Sequence, residues 1–343
     1  MDREVGFGIV GCGNIGPTHA AGVMAAPGAR LVAVCDLVAD KAGAMAEKHG
    51  NPRVYTDYAQ MLADDEVEAV CVCTPSGLHG DMAIAAARAG KHVLTEKPME
   101  ITREKIDAMI AAGREAKVKL AVIFQRRTSP LWRKVHEAVA CGQLGRMVLG
   151  DAYLKYWRDQ AYYDSGEWRG TWALDGGGCL MNQGVHCVDL LQWIMGPVQS
   201  VFAYADHLRW RIEVEDTAVI VLRFASGAFG VIEGATSVTP GLAHRLEFHG
   251  EKGTIMIDGE RVVRWTVDGQ DLSAEELAGG GPSAAADPLA ISGSGHAAQI
   301  ADLVRAIRED RKPYVSGDDG RAAVELILAI YESARTGREV RLT

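Results

Sequence analysis

Residues 181–193, MNQGVHCVDLLQW, set an amide, an imidazole and a carboxylate into an otherwise apolar stretch. Wound as a helix at about 100° per residue, the segment gathers Leu180, Gly184, Cys187, Leu191 and Met195 on one side. Asn182, His186 and Asp189 gather on the other, at i, i+4 and i+7. Buried polar groups need partners, so this row must meet water, a sheet edge, a metal or a substrate. Histidine titrates near neutrality, which suits His186 to take a proton from a hydroxyl; the same imidazole also fits a structural role against a sheet.

A second candidate is Lys97, which ends the apolar run KHVLTEK and precedes Pro98. The proline holds it extended at a strand end. A partly buried lysine has its pKa pulled toward neutrality and can move a proton or orient a hydroxyl. The residues leave a second role open, an ion pair with Glu96.

The third constellation is G-C-G-N-I-G, residues 11–16. Gly11 allows a tight turn, Gly13 lets a pyrophosphate approach the backbone, and Gly16 lets the following helix pack on its strand. Asn14 and Ile15 complete the turn, and the helix N-terminus supplies N–H groups and dipole to phosphates. Pro17 is tolerated in the first helical turn. RLVAVCD then ends in Asp36, about twenty residues beyond Gly16, where a carboxylate binds adenosine ribose hydroxyls. An acid there, with no arginine in the next few residues, favours NAD over NADP.

Elements must hold these groups in place. EAVCVCTP, KHVLTEKPM and KLAVIFQ continue the strands, with helices HGDMAIAAARAG and TREKIDAMIAAGREA between them, the second capped by Thr102. Strand and helix in alternation mean a parallel sheet with right-handed crossovers. Ligands sit at the carboxyl ends of such strands, which here are Thr74-Pro75 (with His79 opening the next helix), Glu96-Lys97-Pro98 and Gln125-Arg126. After Gly145 strand-like runs dominate, from RMVLGDAYLKYW to RVVRWTV, with turns such as ASGA and GEKG between them. The expectation is α/β: a Rossmann dinucleotide-binding domain over 1–125, then an α+β domain over 126–343 with a large, mainly antiparallel open sheet. Residues 279–295 read as a loop, and helices near 296–310 and 318–336 close the chain, the C-terminal helix able to pack back on the first domain.

The length of 343 residues fits two domains and a sizeable core. A net charge of −9 argues against nucleic acid or an anionic membrane as the main partner. No apolar run approaches the roughly 18 residues of a membrane span. The first strand begins near Glu4, leaving no room for a secretory signal, so the expected location is the cytoplasm. The seven cysteines include no C-x-x-C pair and mostly sit in apolar runs, as buried thiols in a reducing compartment do. Cys71 and Cys73 share a strand face, but closed zinc sites use four ligands, so no metal is expected.

Together, the glycine turn, Glu96-Lys97-Pro98, the His186 helix after Gly176–Gly178 and the ending GDDGRAAVELILAIYESARTGREVRL resemble the glucose–fructose oxidoreductase/inositol dehydrogenase/rhizopine (Gfo/Idh/MocA) family over nearly the whole chain. The resemblance implies NAD(P)-linked oxidation of a sugar, nucleotide-sugar or cyclitol hydroxyl, and an open sheet that forms homodimers or homotetramers. Carried over, the family lysine falls on Lys97 and its helix histidine on His186, facing the nicotinamide and the substrate across a cleft. Where the family often has Asp, four residues earlier, stands Asn182; an amide orients substrate rather than sharing a proton. YYDSGEWRGTW, DGGGCLMNQGVH and DLLQW resemble more narrowly the UDP-sugar 3-dehydrogenases acting on N-acetylglucosaminuronate. Arg169, Asp175 and Gln125 are then expected at the substrate, Trp168 at the cofactor, and Asp189 behind the imidazole. Two other readings of the same fold are a redox-neutral glycosidase, lyase or epimerase that retains its NAD, and a non-catalytic dinucleotide sensor.

Overall fold

Val5–Val10 (β1) is buried at every position, as a parallel strand covered on both faces must be. In the computed structural model, which describes residues 3–272 and 293–342, β1 lies inside a six-stranded sheet. Its other strands are Ala29–Cys35 (β2), Arg53–Tyr55 (β3), Ala69–Val72 (β4), His92–Thr95 (β5) and Leu120–Val122 (β6). The order is β3-β2-β1-β4-β5-β6 and every pair is parallel. Helices Gly16–Ala25 (α1), Ala39–Lys48 (α2), Tyr58–Leu62 (α3), His79–Arg88 (α4) and Arg103–Glu115 (α5) connect them. The strand order reverses between β1 and β4, and ligands of such sheets bind beyond the strand ends at that point. Thr102 caps α5, its side chain accepting from the Lys105 amide, as the sequence suggests. The sheet has one strand more than the sequence led us to expect. β3 is three residues long, with Arg53 and Val54 exposed, so it carries no apolar run to betray it.

The second sheet has nine strands: Met147–Lys155 (β7), Val198–Asp206 (β8), Thr217–Phe224 (β9), Phe229–Ala235 (β10), Arg245–Gly250 (β11), Gly253–Asp258 (β12), Arg261–Val267 (β13), Gln270–Asp271 (β14) and Val340–Arg341 (β15). Their order is β14-β13-β12-β11-β7-β10-β9-β8-β15, antiparallel except for the β7–β10 pair. β9 alternates strictly, with Ala218, Ile220, Leu222 and Phe224 buried and Val219, Val221 and Arg223 exposed. One face is therefore packed and the other open. Helices Pro130–Ala140 (α6), Gln160–Asp164 (α7) and Val185–Met195 (α8) belong to the same part of the chain. α8 lies close on the packed face: a Cβ at Gly150 of β7 would sit 2.6 Å from Met195 Cγ, so only glycine lets helix and strand approach so nearly.

Ser294–Arg308 (α9) and Gly317–Thr336 (α10) close the chain. Ile300, Leu303 and Val304 of α9 enter the same core as Phe7, Ile9, Ala20 and Val23. Burying each such large side chain stabilises the fold by about 1.5–3 kcal/mol. The described residues accordingly divide into one unit holding those up to Thr128 and those of 293–321, and a second holding 129–272 and 322–342. The sequence places one boundary after residue 125 and allows the C-terminal helix to pack back; in the structure the stretch grouped with the first unit is 293–321. Most of the expected 279–295 loop lies outside the described residues, and Ser294 and Gly295, at its end, are already helical.

Candidate active site

In the first unit the glycine turn follows β1 directly. Gly11 has φ +95°, and a Cβ there would lie 2.5 Å from the Cys73 carbonyl oxygen. At Gly16 a Cβ would lie 2.6 Å from the Gly11 oxygen. The protein's own packing therefore requires these two glycines. Gly13 differs: it is exposed, and a Cβ there would meet nothing within 4 Å. That open space, at the N-terminus of α1, fits a pyrophosphate drawn up against backbone N–H groups. Asp36, at the end of β2, accepts the Cys12 amide at 2.8 Å and the Val38 amide at 2.9 Å. Its carboxylate is thus fixed beside the turn, with lone pairs left for ribose hydroxyls. The residues present fit a bound dinucleotide. Asn14 is exposed and Ile15, half-buried, precedes α1.

Thr74 and Pro75 follow β4, and Glu96 and Lys97 follow β5. His79 joins these strand ends. It is buried, with Nδ1 2.8 Å from the Pro98 oxygen and Nε2 2.9 Å from the Thr74 oxygen. Both nitrogens thus lie within hydrogen-bond distance of backbone carbonyls at the strand ends, where the sequence suggested contact with the cofactor. Glu96 is buried and turned inward: its oxygens meet His19, His296 and the Lys97 amide. Lys97 itself is half-buried. Gln125 lies in a 3₁₀ turn after β6, against the start of α9, where a Cβ at Gly295 would come 2.8 Å from its own Cβ.

In the second unit the polar row of the sequence begins in a π-helical segment, Cys179–Gly184, that runs into α8. The uniform helical wheel holds only from Val185 onward, so the four-residue step from Asn182 to His186 crosses from π- to α-helix. π-segments are rare and frequent at functional sites. Here the segment has a visible anchor. The buried carboxylate of Glu215 accepts the amides of Gly178 and Leu180, each at 2.9 Å, and the Tyr331 hydroxyl at 2.8 Å. Burial raises the pKa of Glu215 despite these donors. A Cβ at Gly178 would sit 1.9 Å from the Glu215 carbonyl oxygen, which explains the last of the three glycines.

Asn182 and His186 are half-buried and Asp189 is buried. Asn182 Nδ2 donates to Asp175 Oδ1 at 2.5 Å, and Gln183 Nε2 donates to Asn182 Oδ1 at 3.1 Å. Asp175 Oδ2 accepts the Gly170 amide at 2.9 Å, and the residue is only 1% exposed. Asp175, which the sequence suggested at the substrate, thus holds the Asn182 amide through one oxygen and the Gly170 amide through the other. Arg169 stacks on Tyr162 and Trp168, its guanidinium carbon 4.3 and 4.6 Å from the two ring centroids, and donates to the Tyr162 hydroxyl at 2.5 Å. Sequence reasoning missed three neighbours. Arg158 is buried, sits 5.6 Å from the Tyr162 ring centroid and donates to Gln183 Oε1 at 2.8 Å; burial lowers its pKa. Gln183 also donates to the Tyr162 hydroxyl at 2.8 Å. The available signal was the density of aromatic and arginine residues in YWRDQAYYD (156–164). Two guanidiniums, a phenol and two amides thus meet around Tyr162, a set suited to an anionic, hydroxyl-rich ligand.

Residues 5–124 match a family model described as the oxidoreductase family, NAD-binding Rossmann fold, and residues 132–256 match the GFO/IDH/MocA C-terminal domain. The myo-inositol 2-dehydrogenase of Thermotoga maritima is 32% identical over 342 residues, 98% of each chain. The WlbA dehydrogenase from Bordetella pertussis, solved in complex with NADH and UDP-GlcNAcA, is 35% identical, with 100% of this chain and 99% of that one covered and a TM-score of 0.92. An aldose–aldose oxidoreductase from Caulobacter crescentus, complexed with glycerol, is 29% identical over 99% of this chain and 100% of that one, with a TM-score of 0.85.

Proposed function

The chain belongs to the Gfo/Idh/MocA family of NAD-binding oxidoreductases, and from that premise we propose that it oxidises a ring hydroxyl of an anionic nucleotide sugar, of the UDP-N-acetylglucosaminuronate type. The observation that carries the substrate class is Arg169. Its guanidinium is half-buried on two aromatic rings and, among the described residues, forms no ion pair with a carboxylate. A ligand carboxylate or phosphate would supply one. The similarity to WlbA, crystallised with UDP-GlcNAcA, agrees.

In this reading Gly11, Gly13, Asn14, Ile15 and Gly16 hold the pyrophosphate, Asp36 the adenosine ribose, and Thr74, Pro75 and Trp168 line the rest of the dinucleotide, with His79 and Glu96 holding the strand ends behind them. Asn182, with Arg169 and Gln125, orients the sugar. Neutral His186 takes the hydroxyl proton as general base, and Lys97 hydrogen-bonds the same oxygen and steadies its developing charge. Held by these residues, NAD would supply the hydride acceptor for the carbon-bound hydrogen, so that the hydroxyl carbon ends as a ketone. His186→Ala should lower kcat by about 10²–10⁴-fold, the usual worth of a general base, with little change in NAD affinity. Lys97→Ala should also cut kcat. Near-normal turnover by His186→Ala overturns the assignment and leaves Lys97 as the base.

A second reading is redox-neutral: NAD stays bound, the sugar is oxidised, and a later step returns the hydride. The similarity to an aldose–aldose oxidoreductase favours keeping it. Among the described residues no helix is long and apolar enough to cross a membrane, and the seven cysteines are free, which supports a reducing, cytoplasmic setting. We also infer a homodimer or homotetramer built on the open sheet face.

A further inference from the structure

We propose that His19, Glu96 and His296 form a buried positioning triad that fixes the backbone at Lys97 and ties it to the helix that opens the dinucleotide turn. The inference rests on the assignment of Lys97 to the chemical step. The three residues come from distant parts of the chain: α1, the end of β5 and the start of α9. They are 0%, 5% and 1% exposed. Glu96 Oε1 lies 2.8 Å from His19 Nε2 and 3.3 Å from His296 Nε2. Glu96 Oε2 accepts the Lys97 amide at 3.0 Å. The two imidazoles meet edge to face, 5.1 Å between centroids. One carboxylate therefore spends one oxygen on the wall behind it and the other on the backbone of Lys97. Its side chain cannot turn without losing both.

The orphaned atoms decide how the protons are arranged. Both Nδ1 atoms, of His19 and of His296, are buried without a hydrogen-bond partner. A neutral imidazole has one N–H and one bare lone pair. Placing each N–H on Nε2 satisfies Glu96 and leaves only lone pairs unmet, the less costly orphan. Burial works against the charge of Glu96, yet the two imidazole donors outweigh it and hold its pKa well below the usual carboxylate range. Burial likewise lowers the pKa of His19, only partly offset by Glu96, so His19 donates as a neutral ring.

The same three residues offer ligand atoms near enough together to hold a metal ion. The orphans argue against one. Ligation through Nε2 would move each proton to Nδ1 and bury two N–H groups with no acceptor, whereas metal-bound histidines donate that N–H to a carboxylate, carbonyl or water. A hydrogen-bonded triad leaves no such debt.

The test uses the full-length protein with NAD and UDP-N-acetylglucosaminuronate. His296→Leu and Glu96→Gln should each lower kcat about tenfold or more while KM for the sugar and Kd for NAD stay within about twofold, the pattern of an interaction lost only in the transition state. His296→Gln keeps an N–H within reach of Glu96 and should recover most of kcat, a rescue that simple loss of packing would not give. Unchanged kcat in folded His296→Leu and Glu96→Gln overturns the triad, as does a His296→Gln enzyme no better than His296→Leu. Stoichiometric zinc in the purified protein, lost on His296→Gln, would overturn it in favour of a metal site. Lys97→Ala run alongside separates the premises: full turnover there removes the role of Lys97 and the triad together, while an inactive Lys97→Ala beside a fully active His296→Leu removes the triad alone.

Discussion

Asp36 is the residue whose use is most constrained by what it already does. Two of its lone pairs are spent on the Cys12 and Val38 amides, which fix its orientation, and the others remain for the ribose. A 2′-phosphate in that place would face a fixed negative charge. NAD(H) should therefore bind more tightly than NADP(H), and Asp36→Ala should narrow the gap by about tenfold or more, since hydrogen bonds to charged groups are worth about 1.5–3 kcal/mol. Fluorescence titration of both reduced cofactors measures this, and tighter NADPH binding by the unsubstituted protein would refute it. Asp36 was legible because its role follows from a spacing along the chain. Glu96, His79 and Asp175 were legible as polar residues near strand ends and turns, but not in what they touch. Their partners, His19 and His296, two backbone carbonyls, and the Asn182 amide, are brought together by the fold, and no local pattern announces them.

Among the elements, the long apolar runs were readable and the short or irregular ones were not. All seven strand-like runs after Gly145 became strands, because alternation in a half-buried antiparallel sheet leaves a period of two in the sequence. β14 and β15 are two residues each and leave none. The π-segment was hidden for another reason: its extra residue per turn depends on Glu215 capping Gly178 and Leu180 from 35 or more residues away. The open face of the second sheet carries the element-scale prediction. Tyr204, Val219, Val221 and Phe229 stand 72%, 49%, 53% and 53% exposed on adjoining strands β8, β9 and β10. Such a contiguous apolar face is commonly covered by a partner. Light scattering at micromolar concentration should report a dimer or tetramer, and Val221→Lys should shift it toward smaller species. A monomer in the unsubstituted protein would contradict the inferred assembly.

At the scale of the whole molecule, the chain builds its dinucleotide-binding unit from two stretches, the second returning at 293–321. Alternating strands and helices made the first stretch plain. A return was allowed for the C-terminal helix but not located at α9, an ordinary amphipathic helix whose destination is set by Ile300, Leu303 and Val304 meeting the core around Phe7 and Ile9. A net charge of −9 leaves the aromatic-flanked arginines as the local exception that an anionic substrate would use. The proposed reaction is net oxidation of such a substrate with NAD as the soluble acceptor. Its most direct test is the yield of NADH, followed by absorbance at saturating NAD, per molecule of UDP-N-acetylglucosaminuronate consumed, with UDP-N-acetylglucosamine as the neutral control. One NADH is expected for each acidic sugar oxidised, with far slower reaction of the neutral one. Sugar consumed with no net NADH, or no turnover of the acidic sugar at all, would contradict it.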